Sequence, residues 1–278
     1  MISTLYSTNA ILEYIGTIGS RPVKVWCNDG NIYICKYDRR GDDSLLNEYL
    51  GTCFLRCCGI PTPNIAWIQI NPQHNTNKNA VDDAFLQGIC FGSLSLPPNT
   101  VIDFTINVKN RNSTELSRIN RIDLLQIALF DLWVSHQDRY EDNTNLLIGV
   151  YENSEKERII AIDNAAIFNF AFENQNSLVP LRYEQSMISS QHLKALYPKR
   201  NDIFHDAAQV VVNLQKGIHR CISNIDPILD DLHSSLMVEG DKMILKNWVL
   251  NSLCNPKHLI QIETQFYDYL LKAFPQKI

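Results

Sequence analysis

Period-two apolar alternation, the mark of half-buried strands, is confined to the first hundred residues of this chain, and helical periodicity fills most of the remainder. A chain divided in this way reads as α+β, with a strand-rich N-terminal lobe over 1–92 and a helix-rich C-terminal lobe over 93–278. Strands are predicted over 10–15, 23–27 and 32–37, the last two joined through Asn28-Asp29-Gly30-Asn31. A helix is predicted over 45–58. Asp42, Asp43 and Ser44 can cap its start, and Gly59 and Pro61 stop it. Strands over 65–70 and 84–91 flank a polar loop, and together these five strands predict an antiparallel sheet carrying one helix. Beyond Pro97-Pro98 a long helix over 117–135 leads to a strand pair, 145–150 and 158–162. Helices over 202–223, 242–253 and 257–274 complete the pattern.

Composition narrows the function. Asp and Glu number 30 against 25 Lys and Arg, so the net charge of −5 supplies no general field for a phosphate backbone, and direct nucleic-acid binding is not expected. The eight cysteines form no CxxC pair and have no partnered His spacing, which disfavours a zinc site and suits a reducing compartment. No apolar run of transmembrane length and no signal-peptide pattern occurs, so a cytoplasmic protein without a membrane partner is expected.

The most informative stretch runs from Ser135 to Leu147, between a helix and a strand. Within it Asp138 is followed five residues later by Asn143, the spacing of kinase catalytic loops. There the carboxylate orients an acceptor hydroxyl and the amide oxygen takes a magnesium ion. The same residue types also gather in ordinary turns, where they satisfy backbone groups. Twenty residues beyond Asn143, the apolar strand Ile159-Ile160-Ala161-Ile162 ends in Asp163, which is placed to be a second metal ligand. In the N-terminal third, alternation puts Lys36 on the apolar face of Ile32 and Ile34, where an ammonium needs a partner. Glu48 on the following helix is the natural candidate. The turn Gly16-Thr17-Ile18-Gly19-Ser20-Arg21-Pro22 offers backbone and hydroxyl donors to phosphates, although a plain hairpin uses the same residues. Gly turn, Lys strand, Glu helix, Asp with Asn five later and a strand ending in Asp follow one another in the order of a protein-kinase-like fold.

These residues, with Gly59-Ile60-Pro61-Thr62-Pro63 and Asp138-Arg139, resemble the HipA-like kinase family, named for a persistence-toxin kinase and distantly related to phosphoinositide-type kinases. The resemblance spans about residues 10 to 165. It implies a bilobal, ATP- and Mg2+-dependent kinase acting on Ser or Thr of a protein, with Asp138 and Asn143 catalytic and Asn143 and Asp163 holding magnesium. Gly16, Thr17, Gly19, Ser20, Lys36 and Glu48 would then serve the nucleotide phosphates. Adenine would lie against Gln87, Gly88, Ile89 and Cys90. An antitoxin, or a protein supplying an additional N-terminal region, is the partner the resemblance implies. Two departures stand out, Tyr140 where the family has His after Asp-Arg, and Asn164-Ala165 where it has His-Gly after the metal carboxylate. They keep open a pseudokinase acting as a nucleotide-sensing or protein-binding module, and a lipid or small-molecule kinase shares the same loop.

Overall fold

A computed structural model describes residues 2–16, 21–39, 44–97, 101–150, 154–168, 178–237 and 239–276. It opens with three short strands, β1 (Thr4–Tyr6), β2 (Glu13–Tyr14) and β3 (Val23–Trp26). β4 (Ile32–Lys36) follows through the predicted turn, where Gly30 takes φ +79° and its N–H donates to the Cys27 carbonyl at 3.0 Å. Helix α1 (Ser44–Cys57) ends as predicted: Gly59 at φ +74° lets the Ile60 N–H reach back to the Leu55 carbonyl at 3.0 Å. The two acidic cap candidates, Asp42 and Asp43, lie outside the described residues.

β5 (Ile65–Gln69) matches expectation, and the strand expected over 84–91 does not. The Asp82 carboxylate accepts the Ala84 N–H at 2.9 Å, capping a helical turn, α2 (Asp83–Leu86), and strand β6 begins only at Cys90 and runs to Leu94. The sheet order is β1-β5-β6-β4-β3-β2. Its pairs are antiparallel except β1 with β5, a parallel pair that the alternation did not reveal because β1 is only three residues long. On β4, Tyr33 and Cys35 enter an apolar cluster with Val23, Val25, Ile68 and Cys90, so Ile34 and Lys36 face the opposite way.

β7 (Val101–Asp103) leads into α3 (Phe104–Asn110), α4 (Ser113–Leu116) and α5 (Arg121–Val134). β8 (Leu146–Gly149) and β9 (Arg158–Ala161) then join β7 in a small antiparallel sheet ordered β7-β8-β9. α6 (Gln191–Leu196), α7 (Arg200–Ser223), α8 (Ile225–Asp230), α9 (Glu239–Trp248) and α10 (Pro256–Ala273) finish the chain. Among the described residues no helix is long and apolar enough to cross a membrane.

α5 is buried along almost its whole length and forms the axis of the main core. α1 belongs to that same core: Phe54 packs on Trp133 with ring centroids 5.8 Å apart, and the Tyr49 hydroxyl donates to the Ile228 carbonyl at 2.6 Å. Leu50, Phe54 and Leu55 are fully buried, each contributing roughly 1.5–3 kcal/mol by leaving water. The helix that carries Glu48 is therefore fixed to the helical part of the molecule as firmly as to the sheet.

Candidate active site

Between the six-stranded sheet and β8–β9 lies a cavity of about 260 Å³. Its walls are largely apolar, from Ile15, Ile34, Phe91, Leu94, Leu147 and Ile162, and they also carry Lys36, Glu48 and Asp163. An apolar cavity that also presents a cluster of charges suits a ligand with a flat apolar part and an anionic part.

The charged cluster is tightly paired. The Lys36 ammonium donates to Glu48 Oε1 and lies 2.7 Å from Asp163 Oδ1. Burial alone would lower the Lys36 pKa, but Glu48 and Asp163 outweigh it and hold the ammonium well above its ordinary value. Burial pushes the Glu48 carboxyl up and Lys36 pulls it back. Burial also acts to raise Asp163, yet the Lys36 ammonium brings it down to about 2. Glu48 Oε2 accepts the backbone N–H of Asn164 at 2.9 Å, so both of its oxygens are engaged.

Asp138 and Asn143 are also brought together. The Asn143 amide donates to Asp138 Oδ1 at 2.8 Å, the Asn145 amide donates to the Asp138 carbonyl at 2.9 Å, and Tyr140 and Asn143 exchange backbone hydrogen bonds across the loop. Its NH2 is spent on Asp138, which leaves the Asn143 amide oxygen as the acceptor that a hard cation could use. His136 connects this loop to Asp163. Its Nδ1 accepts the Asp138 N–H at 3.3 Å, so Nε2 carries the proton and donates to the Asp163 carbonyl at 3.0 Å. Burial, with Arg139 nearby, holds the His136 pKa well below its usual value, which keeps the ring neutral for that bridge. The carbonyl bond helps to hold Asp163 at φ +56°, a left-handed conformation that Asp tolerates better than most residues.

A magnesium site built here would draw on the Asp163 carboxylate and the Asn143 amide oxygen. Among the described residues no group of three His, Cys, Asp or Glu side chains could hold a metal alone. One carboxylate and one amide, completed by phosphate oxygens and water, is a donor set that fits Mg2+, which retains waters and shares substrate phosphates.

Gly16 ends the described stretch after β2; Ile15 just before it and Pro22 at the far end of the turn line the cavity, while Thr17, Gly19 and Ser20 lie outside the described residues. Gln87, Gly88, Ile89 and Cys90 are not brought to the cavity wall. Gln87 caps α2, and Cys90 is buried in the cluster behind the sheet. The opposite end of β6 meets the cavity instead, through Ser93, Leu94, Ser95 and Leu96, because α2 displaces the strand toward higher residue numbers. The alternation in Phe91-Gly92-Ser93-Leu94, with the nearby Pro97-Pro98, was the signal for that placement.

Three further residues, Arg139, Asn164 and Ala165, were named from the sequence without a role in this site. Arg139 is fully buried and donates to Asp131 Oδ1 at 2.5 Å, to the Ile162 carbonyl at 3.0 Å and to Asn164 Oδ1 at 3.0 Å. Asn164 Nδ2 donates to Thr52 Oγ1 at 3.2 Å. Ala165 is not among the residues with positive φ, so this conformation does not require the glycine usual at that position.

The profile of the HipA-like kinase family matches residues 10–253. No curated protein matches the sequence. In structure the chain is similar to the Helicobacter pylori proinflammatory kinase CtkA, with a TM-score of 0.58 and 13% identity over 98% of this chain and 100% of that one. It is also similar to HipA of Shewanella oneidensis MR-1, solved in a toxin–antitoxin complex with HipB and operator DNA. The TM-score there is 0.50, with 10% identity over 98% of this chain and 68% of that one. At such identities the two likenesses are likenesses of fold.

Proposed function

This chain belongs to the HipA-like kinase family, and we propose that it is an ATP- and Mg2+-dependent kinase that transfers the γ-phosphoryl group to a Ser or Thr hydroxyl of a protein. The observation that carries this reading is the Lys36–Glu48–Asp163 cluster in the wall of an otherwise apolar cavity. An adenine ring fits the apolar walls, with Ser93 to Leu96 along its edge, and the phosphates reach Lys36. The chain through β6 and the chain beyond it would then form two lobes, divided just past Leu94 rather than at 92, because β6 pairs with β4 through Leu94.

Lys36 lies 2.7 Å from Asp163, and a phosphate would offer the ammonium a further partner, leaving the Asp163 carboxylate available to a cation. Magnesium, when bound by Asp163 and Asn143, supplies charge neutralisation on the transferring group. Asp138 orients the acceptor hydroxyl and takes its proton. The Asn143 amide holds that carboxylate at a fixed angle. Protein Ser/Thr as acceptor is what the resemblance read from the sequence implies. An antitoxin-type partner is supported by the Shewanella protein, which is bound to HipB.

The test is calorimetric titration of ATP with and without Mg2+, followed by transfer of labelled phosphate to protein extracts and to lipid vesicles. Wild type should bind ATP in a Mg2+-dependent way that Asp163→Ala abolishes. Asp138→Ala should retain binding and lose transfer. Full transfer by Asp138→Ala, or labelling of lipid alone, would refute the reading.

A further inference from the structure

We propose that Asn164 is a positioning residue for phosphoryl transfer, its side-chain amide setting the helix of Glu48 and the loop of Asp138 in register with Asp163. The proposal rests on the kinase reading above and concerns residues that the reading itself does not require.

Asn164 is only 1% exposed, and its amide groups and Oδ1 find partners on helix α1 and in the loop of Asp138. Its backbone N–H donates to Glu48 Oε2 at 2.9 Å. Its Nδ2 donates to Thr52 Oγ1 at 3.2 Å, one turn further along α1. Its Oδ1 accepts from the Arg139 guanidinium at 3.0 Å, beside Asp138. The residue before it is Asp163. One buried side chain is thus the common reference of the cation-holding pair, the catalytic carboxylate and the metal carboxylate.

The chemistry of the neighbours admits few other side chains. Arg139 can only donate, so the group facing it must be an acceptor. Thr52 donates its own hydroxyl proton to the Glu48 carbonyl at 2.8 Å, so the lone pair that remains requires a donor. A carboxamide offers an acceptor on one side and a donor on the other. A carboxylate at 164 would face the Thr52 lone pair, or would draw the hydroxyl away from Glu48. The fit is also steric. A Cβ added at Gly51 would lie 2.6 Å from Asn164 Cβ, so only the absence of a side chain lets α1 approach this closely. Thr52 and Arg139 are themselves buried, Thr52 at the wall of the cavity. The departure from the family's usual His at this position therefore comes with matching partners on both sides.

The experiment compares Thr52→Val, which keeps the shape and removes the oxygen, with Thr52→Ser, which keeps the oxygen, and with Asn164→Leu, all in the full chain. Readouts are kcat and KM for ATP, together with hydrogen exchange at the Asn164 amide in ligand-free protein. Thr52→Val should lower kcat about tenfold, the equivalent of one buried hydrogen bond, with KM for ATP changed less than about twofold. Thr52→Ser should restore most of the rate. Asn164→Leu, which removes two side-chain bonds, should lower kcat about a hundredfold. The Asn164 amide should exchange about tenfold faster in Thr52→Val than in wild type. Equal losses in the Val and Ser variants, an unchanged kcat, or a loss carried by KM would overturn the proposal. If the wild type transfers no phosphoryl group, the kinase reading falls. The exchange comparison then decides the positioning role alone, and an unaltered Asn164 amide would overturn it.

Discussion

Replacing Arg139 by Met removes a fully buried guanidinium while keeping much of its length, and the structure sets what should follow. Asp131 is 0% exposed and has Arg139 as its charge partner at 2.5 Å. Among the described residues its Oδ2 and the Arg139 Nε have no hydrogen-bond partner even in the wild type, so the pair is already imperfectly satisfied. Burial pushes the Asp131 carboxyl up to about 7 despite the attraction of Arg139. Removing the cation leaves that carboxylate without a counter-charge and leaves Ile162 O and Asn164 Oδ1 without this donor. Breaking a buried ion pair from one side costs about 3–5 kcal/mol. At about 2 °C per kcal/mol for a chain of this size, the melting midpoint should fall by about 6–10 °C near pH 8.

The sign of the pH dependence is fixed as well. A carboxyl whose folded pKa lies above its unfolded value loses stability as pH rises between the two, and without Arg139 that upper limit moves higher still. The deficit of the variant should therefore shrink on acidification from pH 8.5 to pH 6, as Asp131 takes up its proton. Differential scanning fluorimetry of both proteins across that range is the assay. The double variant Asp131→Leu/Arg139→Met should recover most of the midpoint, because an apolar pair suits this apolar site, and should stay slow in phosphoryl transfer because Asn164 still lacks its donor. A fall of less than about 2 °C, or a deficit equal at both pH values, would refute the reasoning.

The parts of the site that the sequence made legible share a property: each rested on a local rule. Lys36 stood out because alternation over five residues placed an ammonium on an apolar strand face, and that face does turn toward the cavity. Asp138 and Asn143 were found by a spacing of five, and Asp163 by its place at the end of an apolar run. The strand expected over 84–91 begins only at Cys90 because Asp82 caps a helical turn inside what alternation alone reads as strand. β1 escaped because three residues carry no period, and its partner β5 lies some sixty residues away. The bridge from Asn164 to Thr52 spans 112 residues, which no window of the sequence reports. Asp131 was the one missed signal within reach. A lone carboxylate in the apolar run of α5 implies a buried cation, and Arg139, eight residues on, is the nearest one in sequence.

Two glycines test the packing on which the site depends. At Gly217 in α7 an added Cβ would stand 2.6 Å from Cys58 Sγ and 2.8 Å from Cys58 Cα, and backbone cannot yield as a flexible side chain does. Gly217→Ala should therefore lose about 1–3 kcal/mol to overpacking, read as a midpoint lowered by several degrees with transfer per folded molecule little changed. Gly51→Ala sets two effects against each other, since alanine gains up to about 1 kcal/mol of helix propensity over glycine while the new methyl meets Asn164 Cβ at 2.6 Å. Asn164 is held by hydrogen bonds to Glu48, Thr52 and Arg139 and cannot retreat without breaking at least one, so overpacking should win and α1 should move away from Asp163. The loss should then fall on kcat far more than on the melting midpoint, the reverse of Gly217→Ala, and a Gly51→Ala enzyme as fast as wild type would show that this contact does not position the site.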